Sequence, residues 1–261
     1  METVRPDGRS ALDAQYSPHR ILLVWLLATA PMGLLAWVVW PALKGHVALH
    51  AGVLFWLLMI AGMIWQFVLS LILVRQELGT LHWSTVAPRI WAQQPRDPQT
   101  GEKRPSLWWM LVPITAAFLA ITYGCELAAP VFGALGWGPP AGTDIRELAD
   151  PVFAGQWWLL AIAVVSSAFN YVLGEELLFR GVLLPRMAGV FGRWDWLANN
   201  VLFSLYHMHK IWDLPAIFLT SLPFSWSARR YRTIWFSIVL HALEGVVLLV
   251  LVFGVVSGMA V

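Results

Sequence analysis

The sequence is short of charge and almost free of cysteine. Only 12% of its 261 residues are charged, about half the share of an ordinary soluble domain. The single cysteine, Cys125, excludes an internal disulfide and any CxxC metal or redox site. The formal net charge is +2, so the composition indicates no nucleic-acid partner.

Two common hydrolase signatures are also missing. The chain has no H-E-x-x-H zinc helix and no G-x-S-x-G nucleophile elbow. Apolar side chains are abundant instead: 59% of the residues are hydrophobic, and the mean hydropathy is positive. The seventeen tryptophans fall mostly near the ends of apolar runs, as in the aromatic belts of membrane proteins. These features predict a polytopic integral membrane protein in contact with lipid.

The apolar runs predict an all-α transmembrane helix bundle of about seven spans, with six to eight as the range. The predicted spans are 21–43, 51–74, 107–127, 156–190, 196–209, 214–228 and 234–256. A polar tail, 1–20, precedes them, and a linker rich in proline, glutamine and arginine covers 75–106. We divide the chain into N-terminal membrane helices (21–150), which include an external loop at 128–155, and a catalytic core (156–256).

The basic residues predict the orientation. They collect in the tail, in the linker 75–106 and in two later turns, around Arg193 and at 229–232. The opposite side keeps only Lys44, Arg146 and Lys210 of seventeen basic residues. Because basic loops stay in the cytoplasm, the N-terminus is predicted to be cytoplasmic.

The stretch Gly174–Gly181 carries ionisable groups at membrane depth, where they are costly and usually functional. Glu176 and Arg180 are four residues apart on a helix, so they share a face and can pair. Glu175 projects elsewhere and is free to do chemistry. The alternative is a structural cluster that ties this helix to its neighbours.

His207 is the predicted partner of Glu175. If the chain turns near 191–194, both residues rise roughly 20–25 Å from the same surface, at ~1.5 Å per residue. They can therefore meet at similar depth, although a lone histidine could also serve packing or hydrogen bonding alone. His209 and Lys210 are predicted to be interfacial, with His209 facing away from His207.

His241 and Glu244 form a second polar pair in the last helix. Glu244 could hold the tautomer of His241 or act as a ligand itself. Glu175, His207 and His241 would supply one carboxylate and two imidazoles, the set that a catalytic zinc uses with a bound water. The same trio could activate water without metal, with the second histidine stabilising the oxyanion. The residues leave both mechanisms open.

Three motifs in order, Glu175-Glu176-x-x-x-Arg180, Phe203-x-x-x-His207 and His241, resemble the CPBP family of intramembrane proteases. That family includes the CAAX prenyl endopeptidases and bacterial Abi-type proteins, and the resemblance covers roughly 155–245. It implies a metalloprotease fold that hydrolyses a peptide bond of a membrane-associated protein or peptide. It also implies a bacterial inner membrane as the location.

By this resemblance Glu175 and His207 would activate the water, directly or through zinc. His241 would bind the metal or steady the oxyanion, while Glu176 and Arg180 would support the site.

Gly245 departs from the family pattern, which commonly has Asn or Asp at that position. Glycine offers no side-chain donor or ligand. A non-catalytic scaffold or bacteriocin-immunity-type protein that retains the fold is therefore the second hypothesis. A small transporter is a third, although the chain lacks the repeated halves typical of transporters. The oligomeric state and the substrate cannot be predicted.

Overall fold

The computed structural model describes residues 15–143, 147 and 150–259, and this part of the chain is a bundle of helices. Five helices are long and apolar enough to cross a membrane. They are Pro18–Leu43 (α1), Ala51–Leu78 (α2), Pro105–Ala134 (α4), Trp158–Met187 (α5) and Trp235–Val256 (α9). The prediction of an all-α polytopic bundle is confirmed. Residues 1–14 of the predicted tail and Arg146 lie outside the described residues.

Four helices are shorter. They are Trp83–Arg89 (α3), Asp195–Tyr206 (α6), Leu214–Thr220 (α7) and Leu222–Tyr231 (α8). The last three replace the predicted spans 196–209 and 214–228. The 12 residues of α6 extend only ~18 Å, against ~30 Å of hydrocarbon.

The apolar run is interrupted by a 3₁₀ turn, His207–Asp213. Within this turn Lys210 leaves the helical region at φ −133° and ψ 56°. Hydropathy detects all seven apolar segments but not this break, so only five of them, within the described residues, have the length of a span.

Two helices extend beyond their predicted ends. Helix α2 runs into the predicted linker, which also contains α3, and α4 continues past the predicted start of the external loop at 128. Helix α2 lies at the centre, because one cluster of buried apolar side chains joins it to α1, α5 and α6. A second cluster joins it to α9 through Val53, Leu159 and Leu248.

Helix α5 departs from regular α geometry where the predicted acidic pair lies. Wide π turns cover Phe169–Gly174 and Leu177–Leu183, on either side of Glu175 and Glu176. A Cβ at Gly174 would lie 2.6 Å from the carbonyl oxygen of Phe169 and 3.1 Å from that of Met63 in α2. Glycine therefore permits both the wide turn and the close approach of α2. Such π turns are rare and often mark functional positions.

A buried carboxylate, that of Glu77, ties together one end of the bundle. It accepts hydrogen bonds from the Tyr16 hydroxyl and from the guanidinium groups of Arg89 and Arg186. Burial and the adjacent Glu77 carboxylate raise the pKa of Tyr16 to about 12. The phenol therefore stays protonated and remains a donor.

The same end receives the linker. The backbone N–H of Arg96 donates to the carbonyl of Tyr231 at 2.8 Å, and the Thr233 hydroxyl donates to the carbonyl of Gln93 at 2.7 Å. These contacts bring the linker and the basic turn at 229–232 to one face, as the charge distribution predicted. Which side of the membrane this face occupies stays a prediction, as does the division into two domains.

Candidate active site

Glu175 lies between the two π turns of α5 and borders a cavity of about 480 Å³. Its Oε1 accepts a hydrogen bond from the Tyr206 hydroxyl at 3.1 Å and lies 3.5 Å from Nε2 of His207. Its Oε2 lies 3.5 Å from Nε2 of His241. The structure therefore brings together the three residues that the sequence singled out, from three separate helical segments.

His207 begins the 3₁₀ turn after α6, and its ring orientation is fixed by its own helix. Nδ1 lies 2.9 Å from the carbonyl oxygen of Phe203, which can only accept. Nδ1 therefore carries a proton, and Nε2 faces Glu175. The ring packs on Phe203 and Tyr206, at centroid distances of 4.8 and 4.5 Å.

His241 is oriented by Glu176 rather than by Glu244. Its Nδ1 lies 3.0 Å from Oε1 of Glu176, and the same oxygen accepts from Arg180 at 3.0 Å. Glu244 approaches the other ring nitrogen, Nε2, at 3.8 Å, and its side chain is 43% exposed. The tautomer-holding role proposed for Glu244 therefore fits Glu176 better, because Glu176 contacts Nδ1 at hydrogen-bond distance whereas Glu244 lies 3.8 Å from Nε2. Glu244 lines the cavity.

Arg180 is fully buried and joins the site to two further helices. Its guanidinium lies 3.8 Å from the ring centroid of Phe203 and donates to the Ser225 hydroxyl at 3.3 Å. Ser225 is 3.2 Å from Oδ1 of Asn199 and 3.3 Å from Oδ1 of Asn200. This network fixes α5, α6 and α8 relative to one another. The supporting role that the sequence suggests for Arg180, and for Phe203 of the second motif, stays a prediction.

Sequence reasoning missed Tyr206, Ser225 and the two asparagines. The pair Asn199-Asn200 is a polar interruption of an apolar segment, and that signal could have found it. Tyr206 gave no such signal, since a tyrosine beside a membrane histidine resembles an interfacial residue. Its hydroxyl contacts Met63 Sδ at 3.2 Å as well as Glu175.

The prediction for His209 was wrong. The residue is buried, and its ring stacks on that of His207 with centroids 5.4 Å apart and an interplanar angle of 28°. The prediction assumed a continuous α-helix, whereas the chain here is a 3₁₀ turn that places both rings on one side.

Tyr171 fills the space beside Gly245. A Cβ built at Gly245 would lie 2.7 and 2.9 Å from two carbons of the Tyr171 ring. That ring packs edge-on against His241, with centroids 4.9 Å apart. Position 245, which commonly carries Asn or Asp in the CPBP family, therefore has no room for a side chain while Tyr171 stays in place.

The cavity opens away from the arginine-rich end. Its lining includes Met59 and Met63 of α2, together with Glu126 near the C-terminal end of α4, Thr143 of the loop that follows, and Trp212 of the 3₁₀ turn. From Met63 to Glu77 the helix rises ~21 Å at 1.5 Å per residue. The cavity and the buried Glu77 cluster therefore lie at different depths.

A zinc site needs three converging protein ligands and an open position. Among the residues that the structure describes, no group of three or more His, Cys, Asp and Glu side chains is arranged to hold a metal ion. Glu175, His207 and His241 face one another in pairs instead. As placed, these side chains do not converge on one metal position. Zinc binding by this protein stays a prediction.

Fold and site together define the class: a polytopic helical membrane protein with a buried carboxylate between two imidazoles beside a cavity. The family model of type II CAAX prenyl endopeptidase Rce1-like proteins matches residues 155–247. This segment is therefore similar to that family, and it contains every site residue predicted from the sequence. The family predicted from the three motifs is confirmed over this segment. No curated protein and no solved structure matches the chain.

Proposed function

We propose that the protein is an intramembrane endopeptidase that hydrolyses a peptide bond of a membrane-associated protein or peptide. The observation that carries this proposal is the Glu175 carboxylate, which faces both His207 and His241 beside a cavity within the Rce1-like segment. Glu175 and His207 activate the water, and His241 stabilises the oxyanion.

In the proposed first step a water binds between Glu175 and the free Nε2 of His207. Glu175 takes one proton as the water oxygen bonds to the scissile carbonyl carbon, and the C=O π pair moves onto the carbonyl oxygen. When that oxyanion collapses, the C–N bond breaks. The proton on Glu175 then passes to the leaving nitrogen, which gives a carboxylic acid and an amine.

His241 supplies the electrostatic part of the proposed mechanism. Its Nδ1 points at the Glu176 carboxylate, which Arg180 also holds. In its doubly protonated form the ring can donate from Nε2 to the oxyanion while Glu176 stabilises the positive charge. No proposed step uses zinc.

A cleavage assay in nanodiscs tests the proposal. Quenched-fluorescence peptides tethered to a lipid anchor would be incubated with wild type, Glu175→Gln and His207→Ala. Glu126→Gln is the matched control, because it removes a carboxylate at the cavity lining without touching the trio. We expect a loss of at least 100-fold for the first two and none for the control. Equal cleavage by all four proteins would overturn the proposal.

Metal analysis of the same preparation decides between the two mechanisms. Elemental analysis of purified wild type and of His241→Ala, with and without a chelator in the assay, gives both the zinc content and its effect on cleavage. Stoichiometric zinc that is lost with His241 and is needed for cleavage would replace the metal-free mechanism.

The non-catalytic scaffold remains the second candidate, and the filled space beside Gly245 favours it. With Tyr171 against the backbone there, the residue at 245 contributes no donor to the cavity. A cellular phenotype that Glu175→Ala rescues as well as wild type would support the scaffold.

We also propose that the arginine-rich end lies in the cytoplasm of a bacterial inner membrane, as the basic loops predict. The cavity then opens toward the opposite face, so the substrate segment enters from that side. Cysteine variants at Lys44 and Lys103, labelled in intact cells with a membrane-impermeant reagent, test this orientation. Labelling at Lys103 but not at Lys44 would reverse it.

A further inference from the structure

A second cavity, of about 490 Å³, lies at the arginine-rich end of the bundle, apart from Glu175. The linker, the turn before α6, and the last turn of α8 with the residue after it all contribute to it. The arginines that line it are Arg96, Arg193, Arg229, Arg230 and Arg232. Three segments far apart in the sequence therefore place their basic residues around one space.

The positive charge of this cavity is only partly compensated. Asp97 pairs with Arg104 at 2.7 Å, and Asp195 pairs with Arg229 at 3.4 Å. Arg96 donates to the carbonyl of Gly101 and to the side chain of Gln93. Among the described residues, no carboxylate lies within ion-pair distance of the guanidinium groups of the other three arginines. These are Arg193, Arg230 and Arg232, and all three are exposed. Such a cavity suits an anion with several acceptor oxygens, because guanidinium groups bind phosphate in a fork geometry.

An apolar groove of about 330 Å³ continues from the basic cavity. Side chains of α4 and α8 line it, including Ile114, Ala117 and Pro223. Trp196 and Trp226 line both the groove and the basic cavity. Only 11% of the apolar window of α4 is buried within the protein, and the groove residues Ala117 and Trp226 are exposed, so the groove would be open to lipid in a bilayer.

We propose that this joined surface binds one anionic phospholipid. Its phosphate lies among Arg193, Arg230 and Arg232, and an acyl chain follows the groove between α4 and α8. Trp196 and Trp226 lie between the two, at the depth where amphipathic rings mark the membrane interface. Charge complementarity selects the anionic head group, and the apolar groove requires a ligand with a hydrocarbon chain.

The proposal is tested by lipid binding to the full chain, without reference to peptide cleavage. Fluorescent phosphatidylglycerol and phosphatidylcholine would be titrated into the protein in uncharged detergent. One variant carries Arg193→Gln, Arg230→Gln and Arg232→Gln, and a second carries Ala117→Phe to fill the groove. The matched control removes the same charge elsewhere, through three exposed residues: Lys44→Gln, Arg75→Gln and Lys103→Gln. Melting curves of all variants verify the fold.

We expect saturable binding of phosphatidylglycerol at least tenfold tighter than that of phosphatidylcholine. The arginine variant and Ala117→Phe should each weaken it at least tenfold, while the matched control should leave it unchanged. Equal losses in both triple variants would overturn the proposal, because they would indicate general charge attraction. Inorganic phosphate or a prenylated carboxylate peptide that competes as well as phosphatidylglycerol would also overturn it.

Discussion

Two buried carboxylates, Glu77 and Glu175, have opposite surroundings. Glu77 accepts hydrogen bonds from one tyrosine and two guanidinium groups, which occupy its oxygens from several directions. Glu175 accepts one hydrogen bond, from Tyr206, and faces two imidazoles at 3.5 Å across the edge of a cavity. Burial alone therefore does not mark a reactive acid. Glu77 is fully engaged in holding helices together, whereas Glu175 retains acceptor capacity for a water.

The largest expected effect is the loss of peptide cleavage when Glu175, but not Glu77, is the carboxylate that is replaced. Glu175→Gln should lower peptide cleavage by about 10²–10⁴-fold, because the amide cannot take a proton from water. Its melting temperature in detergent should stay near that of wild type, since the amide keeps the volume and can still accept from Tyr206. A Glu175→Gln protein with a lowered melting temperature but normal cleavage would show that Glu175 is a structural and not a catalytic carboxylate.

The second-largest expected effect is on the stability of the fold, when Glu77 is replaced. Glu77→Gln should cost about 3–5 kcal/mol of unfolding free energy, because it leaves two buried guanidinium groups without their counter-ion. Unfolding by graded denaturing detergent, followed by circular dichroism, measures the loss. The exposed Glu102→Gln is the control and should change stability by less than about 0.5 kcal/mol. Unchanged stability in Glu77→Gln would mean that this cluster does not hold the helices together.

Packing on the cavity side gives a smaller effect. Gly245→Ala should cost about 1–3 kcal/mol, because its Cβ would overlap the Tyr171 ring. In a Tyr171→Ala background the same change should cost less than about 0.5 kcal/mol. The double-mutant cycle, measured by the same unfolding assay, isolates this contact. Additive costs would show that Tyr171 is not what excludes a side chain at 245.

The smallest expected effects concern the tyrosine that donates to each carboxylate, Tyr206 to Glu175 and Tyr16 to Glu77. Tyr206→Phe should lower the cleavage rate by about tenfold or less, the equivalent of one hydrogen bond of ~1 kcal/mol. Tyr16→Phe should instead lower stability by ~1 kcal/mol and leave the rate per folded molecule unchanged. The cleavage rate and the melting temperature of both variants test this. If both variants lost the same property, the two tyrosines would not differ in role.

The residues of the candidate site were easier to predict from the sequence than the Glu77 cluster, which holds the helices together. The meeting of Glu175 and His207 follows from equal depth on two helices, and the Glu176–Arg180 pair follows from helical spacing. The Glu77 cluster could not be predicted in this way. Its partners come from positions 16, 89 and 186, and no periodic pattern relates them to Glu77.

The span count shows another limit of the sequence. Hydropathy records how apolar a segment is, whereas the break at Lys210 depends on local backbone conformation. The same break invalidated the reasoning about His209, which assumed α-helical spacing. The orienting role of Glu176 was likewise hidden, because spacing within α9 relates His241 to Glu244 but says nothing about a carboxylate on α5.

The size of the cavity beside Glu175 limits the shape of a substrate. A helix about 10 Å wide that rises 5.4 Å per turn occupies roughly 420 Å³ per turn, close to the volume of about 480 Å³ available. Under the proposed function, a substrate segment inside the cavity would therefore be short, of the order of one helical turn. If the protein is the proposed endopeptidase, we expect the cleaved bond to lie near a chain end or in a stretch that unwinds readily. Local helix stability in the substrate, more than its side-chain chemistry, would then decide what is cut.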